Sequence, residues 1–379
     1  MYDIIIIGGN LSGTSAAINA ALRDVNIALI ERNKIPLSPA HCGEGIPDLT
    51  AQWLNLDGIG CQYNEINQTN IQLGSKEYIL KMRKHKMIVF DRSYVENKLL
   101  EKAKSEGVEL FLGIKMKDFK PPNEVILDNG EILKGKVIID ASGVTCQVGR
   151  RIGINTKLKK EDIGVCIQST VQGDFDANVM KFWHLRPYAP LGYAWLFPKS
   201  EKKANIGLGI PGGLKENLEK LLKDYISYTT NNNYKVLNTF RSCLPLANPI
   251  DPLVKENVML VGDAARLVNA PSGAGIGNAL FSGGLAGIIA ARTICGENPS
   301  LQVYSDAMQK KLKRLKKAYI TKDKSIKNEK TYLKIFSRGV SVFSAVNRFM
   351  PNLSERIVEK TLELDNKILE MNKGTTVLL

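Results

Sequence analysis

The stretch IIIIGGNLSG, Ile4 to Gly13, constrains this chain more than any other. It nearly spells G-x-G-x-x-G, the turn that carries a buried strand into a helix whose N-terminus receives a pyrophosphate. Gly8 fills the tight-turn position and Gly13 the position where helix packs on strand. Asn10 stands where a second glycine would let backbone approach the phosphates. Asparagine tolerates unusual backbone angles better than most residues, and Gly9 beside it adds local freedom. An ordinary strand-turn-helix is the plain alternative, but the setting favours a dinucleotide site. Tyr2–Ile7 suits a buried parallel strand, Ser12–Arg23 an Ala-rich helix, and Ile27–Ile30 a second strand ending in Glu31, where an acid would hold ribose hydroxyls.

The remaining composition narrows the class. A chain of 379 residues with 44% hydrophobic content suggests two or three lobes. Its six cysteines show no C-x-x-C pair and no partnering His cluster, so no metal site or disulfide scaffold is indicated and a cytoplasmic location fits. No signal peptide is expected, since a buried strand follows Met1 at once. Ser272–Ala291 is uncharged, yet its glycines, Asn278 and Ser282 make it a closely packed internal helix rather than a transmembrane one. The net charge of +14 concentrates between Lys310 and Lys330. Such a run reads as a solvated helix face or as a contact for an anionic membrane surface; no nucleic-acid motif accompanies it.

Along the chain, RNKIPLSPAHCGEGIP after Glu31 is irregular, residues 69–90 alternate as short strands, and a helix opens near Asp91 and stops at Gly107. Val137–Gly143 is another buried strand running into a turn. Longer β runs at Gly164–Val171, Gly192–Pro198 and Ala204–Ile210 suggest an antiparallel lobe, and at Val258 the first texture returns. The expected fold class is therefore α/β: a Rossmann-like dinucleotide domain, discontinuous over 1–155 and 251–300, an antiparallel-sheet substrate domain over 156–250, and a basic helical region over 301–379.

A simple nicotinamide dehydrogenase has no use for LVGDAAR so far downstream, whereas FAD needs further donors and acceptors for its ribityl chain and ring. Asp263 is the natural ribityl acceptor, and Pro271–Gly277 opens a helix whose free N–H groups face the flavin N1–C2=O edge.

With GGNLSG, Glu31, HCGEGIP, DRSYVENKLL, IIDASG, GYAWLFPK and GDAARLVNAPSGAGIGNAL in order over most of 1–295, the chain resembles the geranylgeranyl reductase family, in particular its archaeal members that saturate digeranylgeranylglycerophospholipids. The resemblance implies bound FAD on a fold of the hydroxylase (glutathione-reductase-like) type. It implies contacts at Ser12, Glu31, Cys42, Gly43, Gly45, Arg92, Met116, Asp263, Gly275 and Ile276, with Asn10 the departure.

In GYAWLFPK the aromatics Tyr193, Trp195 and Phe197 alternate, so a strand projects all three from one face. Sheet core is one reading. The wall of an apolar tunnel for a polyprenyl chain is the one the resemblance favours. An isolated alkene has no carbonyl to accept electron density, so a proton must arrive with the hydride from N5 of reduced flavin. Tyr193 and Trp195 are expected to stabilise the resulting cationic character. Cys42 is the candidate beside the proton source, a thiol being mostly protonated at neutral pH; packing on the flavin is its other reading. Glu44 is an alternative acid, although an exposed loop carboxylate is the plainer expectation. His41 and His184 show no catalytic spacing.

The expected function is FAD-dependent reduction of C=C bonds in geranylgeranyl chains of membrane ether phospholipids. The rivals are a flavin monooxygenase or epoxidase and an electron-transfer flavoprotein component. The electron donor, NAD(P)H or a ferredoxin docking on the basic surface, is not legible. Peripheral membrane attachment through Lys310–Lys330 and SVFSAVNRFM is expected.

Overall fold

The structure is a computed structural model describing residues 1–34, 41–81 and 83–349, with side chains to 345. Part of the irregular segment after Glu31, the end of SVFSAVNRFM and the last part of the basic region therefore lie outside the described residues. Among the described residues eight α-helices follow in order: α1 (Leu11–Ala20), α2 (Asp48–Leu54), α3 (Arg92–Ser105), α4 (Gln147–Arg151), α5 (Leu218–Thr230), α6 (Ile276–Ile294), α7 (Gln302–Ser325) and α8 (Glu329–Phe349). α1 stops at Ala20, short of the expected Arg23.

The first sheet has eight strands. At its centre Tyr2–Ile7 lies parallel to Ile27–Glu31 on one side and to Ile132–Asp140 on the other, and Val258–Leu260 extends it in parallel. Both faces of such a sheet are covered, which is why its strands read as unbroken apolar runs. α1 and α6 pack against it and against each other. A Cβ at Gly283 would collide with the Ser12 carbonyl oxygen, and one at Gly287 with that of Ala16. The small, uncharged texture of the second half of Ser272–Ala291 thus follows from helix backbones in close approach inside the protein. Among the described residues no helix is long and apolar enough to cross a membrane.

The second sheet has seven strands in the order Lys235–Pro245, Ile163–Gln172, Lys203–Pro211, Ala189–Ser200, Val179–Leu185, Gln68–Leu73 and Lys76–Lys81. Its last two strands come from outside the 156–250 range. They join because Val179–Leu185 offers a free edge, which Gln68–Leu73 pairs in parallel. One face is covered by α5, whose Leu218, Leu222, Tyr225 and Ile226 complete a second core. Each such side chain contributes about 1.5–3 kcal/mol on full burial. The opposite face looks toward the first domain and forms the site.

The basic run splits between two faces of α7. Its inner face buries Tyr304, Met308 and Leu312 in the first core. Lys322 is also buried, held by Asp162 at 2.7 Å, while Lys316 pairs with Asp251 at 2.7 Å and Lys311 meets the Asn278 amide oxygen at 3.0 Å. These three are structural cations, which corrects a reading of the whole run as solvated. Lys310, Lys313, Arg314, Lys317 and Lys324 form the exposed stripe.

Candidate active site

The site begins at the glycine turn. Gly8 has φ +109, and a Cβ there would strike the Ala141 carbonyl; a Cβ at Gly13 would strike that of Gly8. Asn10 has φ −83, so no unusual backbone angle is demanded of it. Its side chain caps α1. Oδ1 accepts from Ser12 N at 2.9 Å and Gly13 N at 3.4 Å, and Nδ2 donates to the Ala141 carbonyl at 2.6 Å. Glu31 is buried, accepting from Gly9 N at 2.8 Å and Asn33 N at 2.9 Å.

From this turn a cavity of about 740 Å³ runs between the two sheets. It is lined by Ser12, Cys42, Gly43, Gly45, Arg92, Asp263, Gly275 and Ile276 on one side and by Tyr193, Trp195 and Phe197 on the other. Gly8, Gly13 and Glu31 build the turn behind it without lining it. Met116 is buried in the first core, two residues beyond Ile114, whose N–H donates to the Glu31 carbonyl at 3.2 Å.

The aromatic strand presses directly on the CGEG loop. A Cβ at Gly43 would lie 2.7 Å from Phe197 Cε2, and one at Gly45 3.1 Å from it, so only glycine lets loop and ring approach this closely. The Tyr193 hydroxyl donates to the Ser272 carbonyl at 2.5 Å, joining the stripe to the loop that opens α6. At its far end the cavity meets α8, where the Tyr332 hydroxyl lies 2.8 Å from His184 Nδ1 and Tyr332 stacks on Phe336. Burial pushes the His184 pKa down to about 4.

Glu44 is not the expected exposed loop carboxylate. It is buried at φ +67. Oε1 accepts from Arg92 N at 2.9 Å; Oε2 accepts from Lys199 Nζ at 2.6 Å and Asn205 Nδ2 at 2.7 Å. A third polar tie is Gln168, whose Nε2 donates to the Cys42 carbonyl at 2.9 Å and whose Oε1 accepts from Trp195 Nε1 at 2.8 Å. Lys199, Asn205 and Gln168 were not among the expected site residues. The available signal was a polar side chain on the Cys166–Gln168–Thr170 face of a strand.

Electrostatically the dinucleotide side is finely balanced. Burial opposes the Arg92 charge, but Glu96 at 2.8 Å outweighs it and keeps the guanidinium protonated. Burial pushes the Asp263 carboxyl up, with Arg92 in opposition. Asp263 faces the cavity beside Gly275, as an acceptor for polyol hydroxyls should. With the glycine cradle at one end and the start of α6 at the other, these residues fit an extended dinucleotide.

The two sheets, the glycine cradle and the cavity between them define an α/β protein built to hold an extended dinucleotide. Residues 162–242 match the family model of the geranylgeranyl reductase catalytic domain. The chain is 30% identical over 355 residues to digeranylgeranylglycerophospholipid reductase 2 of Methanococcoides burtonii, covering 85% of this chain and 84% of that one. It is 29% identical to digeranylgeranylglycerophospholipid reductase of Methanosarcina acetivorans, over 82% and 80% of the two chains. The chain belongs to the geranylgeranyl reductase family. Among solved structures, a geranylgeranyl bacteriochlorophyll reductase-like protein from Thermoplasma acidophilum shares the fold with TM-score 0.77 and 24% identity, covering 99% of this chain and 97% of that one. A flavin-dependent brominase shares it with TM-score 0.68 and 16% identity, over 96% and 93%.

Proposed function

We propose that this chain is an FAD-dependent reductase that saturates isolated double bonds of geranylgeranyl chains in membrane ether phospholipids. The observation that carries the reading is the packing of the Tyr193–Trp195–Phe197 face on the Gly43–Gly45 loop, within the same cavity as Asp263 and the start of α6. An apolar alkene and a dinucleotide would there share one water-poor space.

FAD would be held by the glycine turn, Glu31, Arg92, Asp263 and the first residues of α6, and in its reduced form it supplies hydride. The N–H groups at the start of α6 would face negative charge on the ring. Tyr193 and Trp195 turn their faces to the alkene, each stabilising developing positive charge by roughly 0.5–2 kcal/mol when desolvated. The proton comes from the Cys42 thiol or an ordered water beside it. Phe197 and the CGEG loop exclude bulk water.

Exposed Lys310, Lys313, Arg314, Lys317 and Lys324 would bring the cavity to an anionic bilayer, where the substrate's tails reside. The electron donor is NAD(P)H or a ferredoxin. Each is tested by whether it reduces the bound flavin anaerobically.

The deciding experiment reduces the flavin with dithionite without oxygen and adds digeranylgeranylglycerophospholipid. Return of oxidised flavin with lipid mass gains in steps of two hydrogens is expected. No reoxidation by the lipid would overturn the reading. Oxygen consumed in step with product would favour a monooxygenase.

A further inference from the structure

We propose that Gln168 is a positioning residue that fixes the Trp195 indole and the Cys42 loop as one unit. The proposal rests on the reductase reading above and deepens it.

Three strands align for this contact. Gln168, Gly207 and Trp195 occupy one cross-strand row: Gln168 is opposite Gly207, and Gly207 is opposite Trp195. Side chains in such a row share a face, and a residue between two others would normally separate them. Glycine removes that obstacle. A Cβ at position 207 would collide with the indole of Trp195, so only glycine lets the ring lie across the middle strand and reach Gln168. The indole N–H then meets Oε1 at 2.8 Å.

The other end of the amide leaves the sheet. Nε2 donates to the Cys42 carbonyl at 2.9 Å, so the same planar group that orients the ring also holds the loop of the other domain. Gln168 is 2% exposed, and a buried amide that lost either partner would leave polar atoms unsatisfied. The chemistry is selective. A carboxylate can accept from the indole but cannot donate to the carbonyl, an ammonium can only donate, and an apolar side chain does neither. The indole and the Cys42 backbone are thus held in one fixed arrangement on the wall of the cavity.

The test uses the FAD-loaded enzyme under anaerobic conditions, with rates taken per bound flavin. Gln168→Leu removes both bonds. Gln168→Glu keeps the indole bond but sets a carboxylate against the Cys42 carbonyl. Both should slow flavin reoxidation by digeranylgeranylglycerophospholipid about 10–100-fold, the scale of a misplaced reacting group, while reduction by dithionite is unchanged. Trp195 emission, isolated by difference from matching Trp195→Phe proteins, should shift in Gln168→Leu and persist in Gln168→Glu. In a Trp195→Phe background, Gln168→Leu should cost less than it does in the wild type.

Variants that both reoxidise within about twofold of wild type, or an identical factor in the two backgrounds, would overturn the proposal. A wild-type enzyme that the lipid fails to reoxidise would instead remove the reductase reading. The emission comparison would still decide Gln168, because an unchanged Trp195 signal in Gln168→Leu contradicts the assigned bond.

Discussion

Glu44 and Lys199, from the CGEG loop and the end of the aromatic strand, meet at 2.6 Å with side chains 6% and 17% exposed. This pair joins the two halves of the molecule at the cavity wall. Removing one partner of a buried pair leaves the other charge uncompensated, which costs about 3–5 kcal/mol. Glu44→Ala should therefore lower the denaturation midpoint strongly. Replacing both residues, as Glu44→Gln with Lys199→Met, should recover part of the loss. Chemical denaturation of the wild type, Glu44→Ala and the double variant checks this, and equal losses in the single and double variants would contradict it.

Asn10 occupies donors that a pyrophosphate would use. Its Oδ1 takes the N–H groups of Ser12 and Gly13 at the start of α1. Asn10→Gly should free both donors and tighten FAD several-fold, while costing only a few tenths of a kcal/mol in lost capping. Asn10→Asp places a carboxylate there and should weaken binding. Titration of apoprotein with FAD, followed by fluorescence quenching, distinguishes these outcomes; equal affinities would show that the pyrophosphate avoids this turn.

Burial holds His184 at a pKa of about 4, against an ordinary value near 6.5. Between these values the unfolded chain binds a proton that the folded one does not, so stability rises with pH across this window. Seen from neutral pH, His184 contributes stability that is lost as pH falls from about 6.5 toward 4, on the order of 3 kcal/mol in all. Below that window the penalty is constant. His184→Gln should flatten this part of the stability profile, measured as denaturation midpoints from pH 4 to pH 7.5. A profile as steep as the wild type's would place the titration elsewhere.

The two faces of α7 should respond differently to charge reversal. Lys310, Lys313, Arg314 and Lys317 are exposed, so Glu at these four positions should abolish co-sedimentation with anionic vesicles, each basic residue being worth about 1 kcal/mol at an acidic surface. Folding should be little affected. Lys322→Glu, by contrast, sets a second carboxylate against Asp162 in a buried site and should unfold the protein. Binding that survives the fourfold reversal, or that ignores salt, would exclude this stripe as the contact.

The amino-acid sequence by itself determined the elements whose signals are local. Ile4–Ile7 is too apolar for anything but a covered strand, Gly8 and Gly13 require the tight turn, Asp91 caps its helix, and Tyr193, Trp195 and Phe197 must share a face because strands repeat every second residue. Asp263 was legible as an acid at a strand end, whereas Gly275 and the CGEG loop were singled out by the family resemblance. Tertiary structure decided what depends on distant partners. Glu44 looks solvent-bound until Lys199 and Asn205 are folded over it, and Lys322 and Lys316 leave the solvated run only when Asp162 and Asp251 arrive to pair with them. Gln168 becomes more than one polar residue in a strand only when Gly207 clears the row to Trp195. Local propensity is written residue by residue, whereas the burial and pairing of a charge or amide depend on which remote segment shares its space.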